Sequence, residues 1–394
     1  MKTPNEIKSI IQNNRDNIAF VIGNGIHYQY QDCDIPWKTL LNCLWTDFVG
    51  TQIKIEEGVS LTELYDIIEM NLYGRHKSTR FNGARLQDLG NLNKKDLARI
   101  MFSIGRKTNN QPIDKDVLGS LGEKNQKLIY NSRIWCENNI DNAQRLSDFE
   151  CVNRVVDALS DGIKSQVLKD EIKRNVAEKF PPKSHYNLGK CIINIKKLNV
   201  PILTTNFDTY ISESVDAVSY ILHPKYEHQY KFTSHYPWNM YYSDNSINNP
   251  LNEFAVWHIN GTTKYHRSIK LGLSDYMGCV ERARKMIQGD DLNEYFMGKN
   301  QTNWVGYNTW LHIIFNKPLF IFGLALEENE VFLRWLLIQR AKYCKMYNKP
   351  LGGWYVGKDI KAGKRFFLEQ LGFEVIDIPH YNILYTAIQN IDNK

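Results

Sequence analysis

Two hydrophobic patterns alternate along this chain. Short apolar runs rich in β-branched and aromatic residues are typical of buried strands, and most are followed by a segment whose apolar residues recur at helical spacing. The runs occupy residues 18–23, 201–205, 218–222, 254–259, 317–323, 352–357 and 373–378. This alternation predicts an α/β fold, in which a Rossmann-like parallel sheet carries helices on both faces.

Residues 61–198 follow the helical pattern alone. Apolar residues recur at helical spacing in 61–73, 94–104, 125–173 and 184–198, and no convincing strand lies between them. The sequence therefore predicts a large helical insertion at 61–198, placed inside a domain formed by 1–60 and 199–394. The Asn-rich stretch 239–252 is predicted to be a loop.

Composition narrows the class of protein. The chain has 394 residues with 43% hydrophobic and 23% charged residues, values typical of folded globular proteins. The longest apolar run, 319–326, is far shorter than the ~20 residues of a membrane-spanning helix, and the first residues contain no continuous apolar stretch of the kind found in secretory signals. We therefore expect a cytoplasmic protein that does not enter membranes.

Charge and cysteine usage exclude further classes. The net charge of +6 is too mild to indicate a nucleic-acid binder, so no direct nucleic-acid binding is expected. The seven cysteines form no CxxC pair, which argues against a zinc ribbon and against a disulfide framework. No metal is expected.

Polar residues and glycines follow the predicted strands. In a sheet of this class, ligands bind beyond the carboxyl ends of the strands. The first strand ends in Gly23-Asn24-Gly25, where small residues would let backbone N–H groups approach a pyrophosphate. A tight turn that requires positive φ explains two glycines equally well.

Three later strand ends carry side chains suited to chemistry. Asn206-Phe207-Asp208 places an amide and a carboxylate past a buried strand, although Asn and Asp are also common helix caps. His258 ends another strand, where it could serve as a general base or as a satisfied core histidine. Glu327 and Glu328 follow Gly323, where a helix N-terminus would also favour acidic residues.

Taken in order, these motifs resemble the sirtuin-like (silent information regulator) family, in particular its bacterial branch of NAD hydrolases that serve in antiphage defence. Residues 23–26 are similar to the GAGxS phosphate loop, 204–208 to the TTNFD motif, and 258–261 to the catalytic HxHG motif. Residues 273–276 and 320–328 are similar to the later LTxxDY and FIGYSLxD motifs.

The resemblance implies cleavage of NAD, as substrate, to nicotinamide and ADP-ribose. The residues that it assigns to catalysis are Asn206, His258 and Asp208. The residues that it assigns to nucleotide binding are Gly23, Asn24, Gly25, Ile26, Thr205, Phe207, Gly261 and Gly323. His27, Asn260 and Ala325 depart from the family motifs.

The resemblance also implies that the activity is regulated, because an unregulated NAD hydrolase would kill its host. We expect a homo-oligomer, and a possible partner such as a HerA-type DNA-translocating ATPase or an Argonaute-type protein. Two alternatives remain: a nucleotide-binding regulatory module without catalysis, and a protein deacylase, which the missing zinc ribbon disfavours.

Overall fold

The computed structural model describes residues 2–29, 37–50, 54–78, 123–139, 142–148, 150–151, 169, 172, 189–222, 238–265, 268–288, 304–328 and 330–391. The chain divides into two compact units, Met1–Asp66 with Lys169–Lys394, and Ile67–Leu168. The larger unit thus includes helical residues that the sequence assigned to the insertion. The predicted helical segment 94–104 and most of 140–188 lie outside the described residues.

Eight strands form the sheet of the larger unit. They are β1 (Ala19–Ile22), β2 (Ile202–Thr204), β3 (Val218–Ile221), β4 (Met240–Ser243), β5 (Val256–His258), β6 (Leu319–Phe322), β7 (Gly353–Gly357) and β8 (Glu374–Asp377). Their order across the sheet is β3-β4-β5-β2-β1-β6-β7-β8. The six strands from β5 to β8 in this order run parallel, which confirms the predicted α/β class with a mostly parallel sheet.

Eleven helices are given bounds within the described ranges. They are α1 (Pro4–Asn13), α2 (Trp37–Phe48), α3 (Leu61–Ser78), α4 (Glu123–Asn139), α5 (Gly189–Lys197), α6 (Tyr210–Glu213), α7 (Leu273–Gln288), α8 (Trp310–Asn316), α9 (Val331–Met346), α10 (Ala362–Gln370) and α11 (Asn382–Gln389). Short 3₁₀ helices occupy Asn24–Gln29 and Ala143–Arg145. No strand occurs in the described part of 61–198, and none of the helices described is long and apolar enough to cross a membrane.

One end of the sheet differs from the prediction. β4 pairs antiparallel with both β3 and β5, so the sheet is not wholly parallel. The predicted loop at 239–252 is also wrong in its first part, because β4 lies there with all four residues buried. Tyr241 of β4 packs its ring 5.1 Å from that of Trp257 on β5. This contact between strands stabilises β4, although the Asn-rich residues after it look like a loop.

The core consists of two layers, one on each face of the sheet. Alternate residues of β1 belong to different layers, with Ala19 and Val21 in one and Phe20 and Ile22 in the other. The first layer is completed by α7, α8, α9 and α10, and the second by α1, α5, α6 and α11. Helices therefore cover both faces, as the continuous apolar strands predicted.

Candidate functional site

The point where strand order reverses lies beside β1. From β1 the chain proceeds to β2 and β5 on one side, and later to β6, β7 and β8 on the other. The carboxyl edge beside β1 is therefore a topological switch point of the sheet. In open α/β sheets this is the usual position of a ligand.

Three glycines bring these two loops into backbone contact. The N–H of Gly25 donates to the carbonyl oxygen of Gly323 at 2.6 Å, and the N–H of Gly23 donates to that of Phe322 at 3.0 Å. A Cβ at Gly23 would overlap the Gly323 carbonyl oxygen, and a Cβ at Gly25 would lie 2.8 Å from the Gly323 Cα. Of these three glycines, only Gly323 has a positive φ, of 64°. The Gly-Asn-Gly sequence is thus explained by close packing rather than by positive φ, and both of its glycine N–H groups already have partners.

Gly25→Ala should destabilise the protein by ~1–3 kcal/mol, because the new methyl group must push two backbones apart. The matched control is Gly278→Ala in α7, where an added Cβ would meet nothing within 4 Å. That change should stabilise the helix by ~0.5–1 kcal/mol. Urea unfolding of both variants measures the difference, and equal effects would show that the loop contact carries no strain.

A cleft of about 1000 Å³ opens at this edge. Four of the residues predicted to bind a nucleotide line it: Asn24, Gly25, Thr205 and Gly323. The rest of the lining comes mainly from residues that follow β6 and β7. It includes four basic side chains, Arg334, Lys358, Lys361 and Lys364, and four acidic ones, Glu327, Glu328, Glu330 and Asp359. The other four predicted residues, Gly23, Ile26, Phe207 and Gly261, are not part of the lining. Ile26 and Phe207 are buried instead, and a Cβ at Gly261 would overlap the backbone of Ser268.

The three predicted catalytic side chains lie together inside the protein. The first of them, Asn206, directly follows Thr205, which lines the cleft. Asn206 and Asp208 follow β2, and His258 ends β5 opposite Thr204. The exposed fractions of Asn206, Asp208 and His258 are 0%, 1% and 2%. Parallel pairing of β2 with β5 therefore joins the two strongest motifs of the sequence at one place.

His27, which follows β1, joins this group. Its Nε2 lies 3.0 Å from Oδ2 of Asp208 and 3.2 Å from the side-chain amide of Asn206. Burial alone would raise the pKa of Asp208, but the attraction of His27 and its hydrogen bond hold that pKa below its ordinary value. Asp208 is therefore ionised, and Nε2 of His27 carries the hydrogen that it donates.

The alternative assignment as helix caps applies to one residue only. Oδ1 of Asp208 accepts a hydrogen bond from the backbone N–H of Tyr210 at 3.1 Å, at the start of the short helix α6. Asn206 does not cap that helix, because its amide faces His27. The capping interpretation thus leaves the Asn206 side chain unexplained.

His258 is held as a neutral base. Its Nδ1 lies 2.8 Å from the backbone carbonyl oxygen of Asn206, and since a carbonyl only accepts, Nδ1 carries the hydrogen. Burial lowers the pKa of His258 below its ordinary value, so the ring is neutral at pH 7. Its Nε2 is buried and has no hydrogen-bond partner among the described residues. A lone pair is thereby available for a proton.

Asn206 has a second polar atom of this kind. Its Oδ1 is also buried without a hydrogen-bond partner in the described part of the chain. Because His27 Nε2 donates to Asp208, the amide oxygen is the better partner for that nitrogen and the amide NH₂ would then be the open group. In either orientation one polar atom of this amide has no partner among the residues that the structure describes. Burying such an atom costs ~1–3 kcal/mol, which a stability role does not explain.

The sequence analysis did not single out two further residues, one that packs against His258 and one that lines the cleft. Tyr242 lies on the unpredicted strand β4, and its ring packs edge-on against that of His258 at 5.3 Å. Glu330 precedes α9 and lines the cleft, and burial raises its pKa to about 7. The paired Glu327 and Glu328, which the sequence did single out, are exposed. The helix begins only at Val331, so they lie before it rather than in its first turn.

Glu330→Gln should stabilise the protein at pH 8 and change little at pH 4. An unfolded glutamate ionises near its ordinary pKa of 4.5, whereas the folded protein retains the proton up to about 7. The folded state therefore binds more protons between these values, and wild-type stability falls as the pH rises through this range. Part of the residue is accessible to solvent, so we expect only ~1–2 kcal/mol of the full effect. Melting temperatures from pH 4 to 8 test this, and parallel curves for both proteins would contradict it.

No group of His, Cys, Asp and Glu side chains in the described ranges is arranged to hold a metal ion. Comparisons with known proteins do not assign the chain to a family. No protein-family model matches the chain, and no curated protein matches it.

Proposed function

We propose that this chain is a sirtuin-like NAD hydrolase with a Rossmann-like nucleotide-binding domain, which cleaves NAD to nicotinamide and ADP-ribose. The observation that carries the proposal is that Asn206 and His258 each have a buried polar atom with no hydrogen-bond partner among the described residues. Both follow neighbouring parallel strands, next to a cleft at the reversal of strand order. Unpaired buried polar groups at such a position favour a role in chemistry over one in packing.

The cleft supports a nucleotide as the ligand. A volume of about 1000 Å³ would accommodate a dinucleotide, and Arg334 and Lys361 of the lining could each contact a pyrophosphate, although the basic and acidic side chains of the cleft are equal in number. The glycine N–H groups contribute less than the motif implied, because Gly23 and Gly25 donate to the β6 loop. Asn24 and Thr205 would supply further polar contacts.

In the proposed reaction, the bond between nicotinamide and C1′ of the ribose breaks. The nicotinamide ring of NAD is cationic and departs as a neutral molecule, so it needs no proton from a general acid. A water oxygen bonds to C1′ and gives its proton to Nε2 of neutral His258, which later releases it to solvent. The Asn206 amide orients the water or a ribose hydroxyl. The ionised Asp208 stabilises the positive charge that develops on the ribose.

The pH dependence of turnover follows from the state of His258. Protonation of Nε2 would remove the base, so the rate should fall as the pH drops through the pKa of His258. Burial lowers that pKa below the ordinary 6.5, so the rate should fall at a lower pH than it would with an ordinary histidine as the base. A rate that rises on acidification would contradict neutral His258 as the base.

The direct test is incubation of the purified chain with NAD, followed by chromatography for nicotinamide and ADP-ribose. Equal amounts of both products, absent with His258→Ala, are the expected result. A parallel sample with an acylated peptide distinguishes transfer to an acyl group from hydrolysis. Induction of the chain in a bacterial host should lower cellular NAD, which extends the test to conditions where a trigger or partner is present.

A second candidate is a nucleotide-binding regulatory module without catalysis. The burial of Asn206 and His258 behind the cleft wall favours it, because a ligand in the cleft does not reach them without movement. Calorimetric binding of NAD without release of nicotinamide, in vitro and in cells, would support this candidate. The role in antiphage defence, the homo-oligomer and the ATPase or Argonaute-type partner remain proposals that accompany the first function.

A further inference from the structure

His27 occupies a central position in the buried group. It is 2% exposed and lies in the 3₁₀ helix Asn24–Gln29, directly after β1. One nitrogen of its ring contacts both Asp208 and Asn206, which lie 181 and 179 residues away along the chain. The ring of Tyr210 also packs edge-on against the imidazole, with the two ring centroids 6.2 Å apart.

A series of polar contacts connects Asp208 through His27 and Asn206 to His258. Asp208 holds Nε2 of His27, and His27 holds the side chain of Asn206. The backbone carbonyl of Asn206 then holds Nδ1 of His258, which leaves Nε2 as the unprotonated nitrogen. The His27 contact therefore affects the position of both the Asn206 amide and Nε2 of His258.

We propose that His27 is the positioning residue of this site, fixing the Asn206 amide against Asp208 and, through the Asn206 backbone, the ring of His258. This inference rests on the proposed function in so far as it concerns turnover. His27 itself does not touch the substrate or the reacting atoms. Its effect on the reaction arises from geometry, since a displacement of about 1 Å in a reacting group can lower a rate ~10²-fold.

The simple variant His27→Ala is a poor test. It leaves the Asp208 carboxylate buried without its main partner, and such a change can unfold a protein. The double variant His27→Leu with Asp208→Asn removes the charge together with its partner and avoids this problem. The conservative variant His27→Gln retains a donor near the position of Nε2, with two hydrogens for Asp208 and Asn206.

Kinetics of NAD hydrolysis give the first measurement. Asp208→Asn alone, which removes the Asp208 charge but keeps His27, is the reference for the double variant. Relative to this reference, the double variant should lower kcat ~10–10²-fold with KM within about twofold, because positioning of the reacting groups is lost while the cleft is intact. His27→Gln should recover kcat to within about fivefold. Ile211→Val, which shortens a buried side chain of α6, controls for loosening of this region and should leave kcat unchanged.

Magnetic resonance of the Asn206 side-chain amide gives a measurement that needs no turnover. In the wild type this NH₂ group should exchange slowly with solvent, and in the double variant its signals should shift and its exchange should accelerate. Ile211→Val should preserve the wild-type signals. If the wild type releases no nicotinamide but the amide responds in this way, the proposed function fails and the positioning role stands. If both kcat and the amide signals of the double variant match those of Asp208→Asn alone, His27 has no positioning role.

Discussion

Asn206→Ala and His258→Ala should each lower NAD hydrolysis by ~10²–10⁴-fold while the protein remains folded. The first change removes the amide that orients water or ribose, and the second removes the ring nitrogen that would accept the proton and that has no hydrogen-bond partner among the described residues. Neither change leaves a charge buried alone. Stability should therefore fall much less than turnover does.

The structural alternative makes a different prediction for the same variants. Loss of a helix cap costs ~1 kcal/mol and does not alter the turnover of folded molecules. Thr309→Ala supplies the matched control, since the Thr309 hydroxyl accepts a hydrogen bond from the N–H of Leu311 at the start of α8. NAD hydrolysis and thermal melting are measured for all three variants under conditions where the wild type is active. Full activity in a stable Asn206 or His258 variant would remove that residue from the mechanism.

The central strands and the meeting of the two motifs could be predicted from the sequence. Each of β1, β2, β5 and β6 is a short apolar run, and buried parallel strands require such runs on both faces. Because the carboxyl ends of parallel strands lie at the same edge, Asn206 and His258 were expected there, and the pairing of Thr204 with His258 confirms that they share it. The roles of these residues remain predictions.

The antiparallel end of the sheet could not be predicted in this way. β4 is only four residues long, and it is stabilised by contacts such as that of Tyr241 with Trp257, which lies 16 positions further along the chain. Its neighbour β3 has three exposed residues out of four, so its apolar pattern says little about burial. Local patterns do not contain such distant contacts.

The need for glycine at position 25 and the contacts of His27 also could not be predicted, because both depend on residues far away along the chain. Gly25 is required by the approach of Gly323, almost 300 residues later, and nothing near either residue announces the other. His27 stands out in the sequence only as a departure from a motif. Its contact with Asp208 depends on the pairing of β1 with β2, which brings together residues that are 181 positions apart.

Arg340 is a further case of a residue whose role depends on distant contacts. It lies in the middle of α9, is 1% exposed, and its guanidinium donates to the carbonyl oxygens of Ile314, Lys317 and Gly352 at 3.0, 3.2 and 2.9 Å. These carbonyls belong to the end of α8 and to the segments that precede β6 and β7. Burial lowers the pKa of Arg340 to about 10, so the group remains charged at neutral pH. One side chain thus satisfies three backbone acceptors at the point where two strands begin.

Arg340→Met should therefore lower the free energy of unfolding by about 3 kcal/mol, since buried carbonyls left without donors cost ~1–3 kcal/mol each and the removal of a buried charge offsets part of this. Arg340→Lys should cost less, because an ammonium can still reach some of the three oxygens but lacks the planar fork. Lys342→Met removes the same charge from an exposed position of the same helix and should change stability by no more than ~0.5 kcal/mol. Urea unfolding at pH 7 measures all three. If Arg340→Met and Lys342→Met unfold at the same urea concentration, the carbonyl contacts of Arg340 contribute nothing to stability.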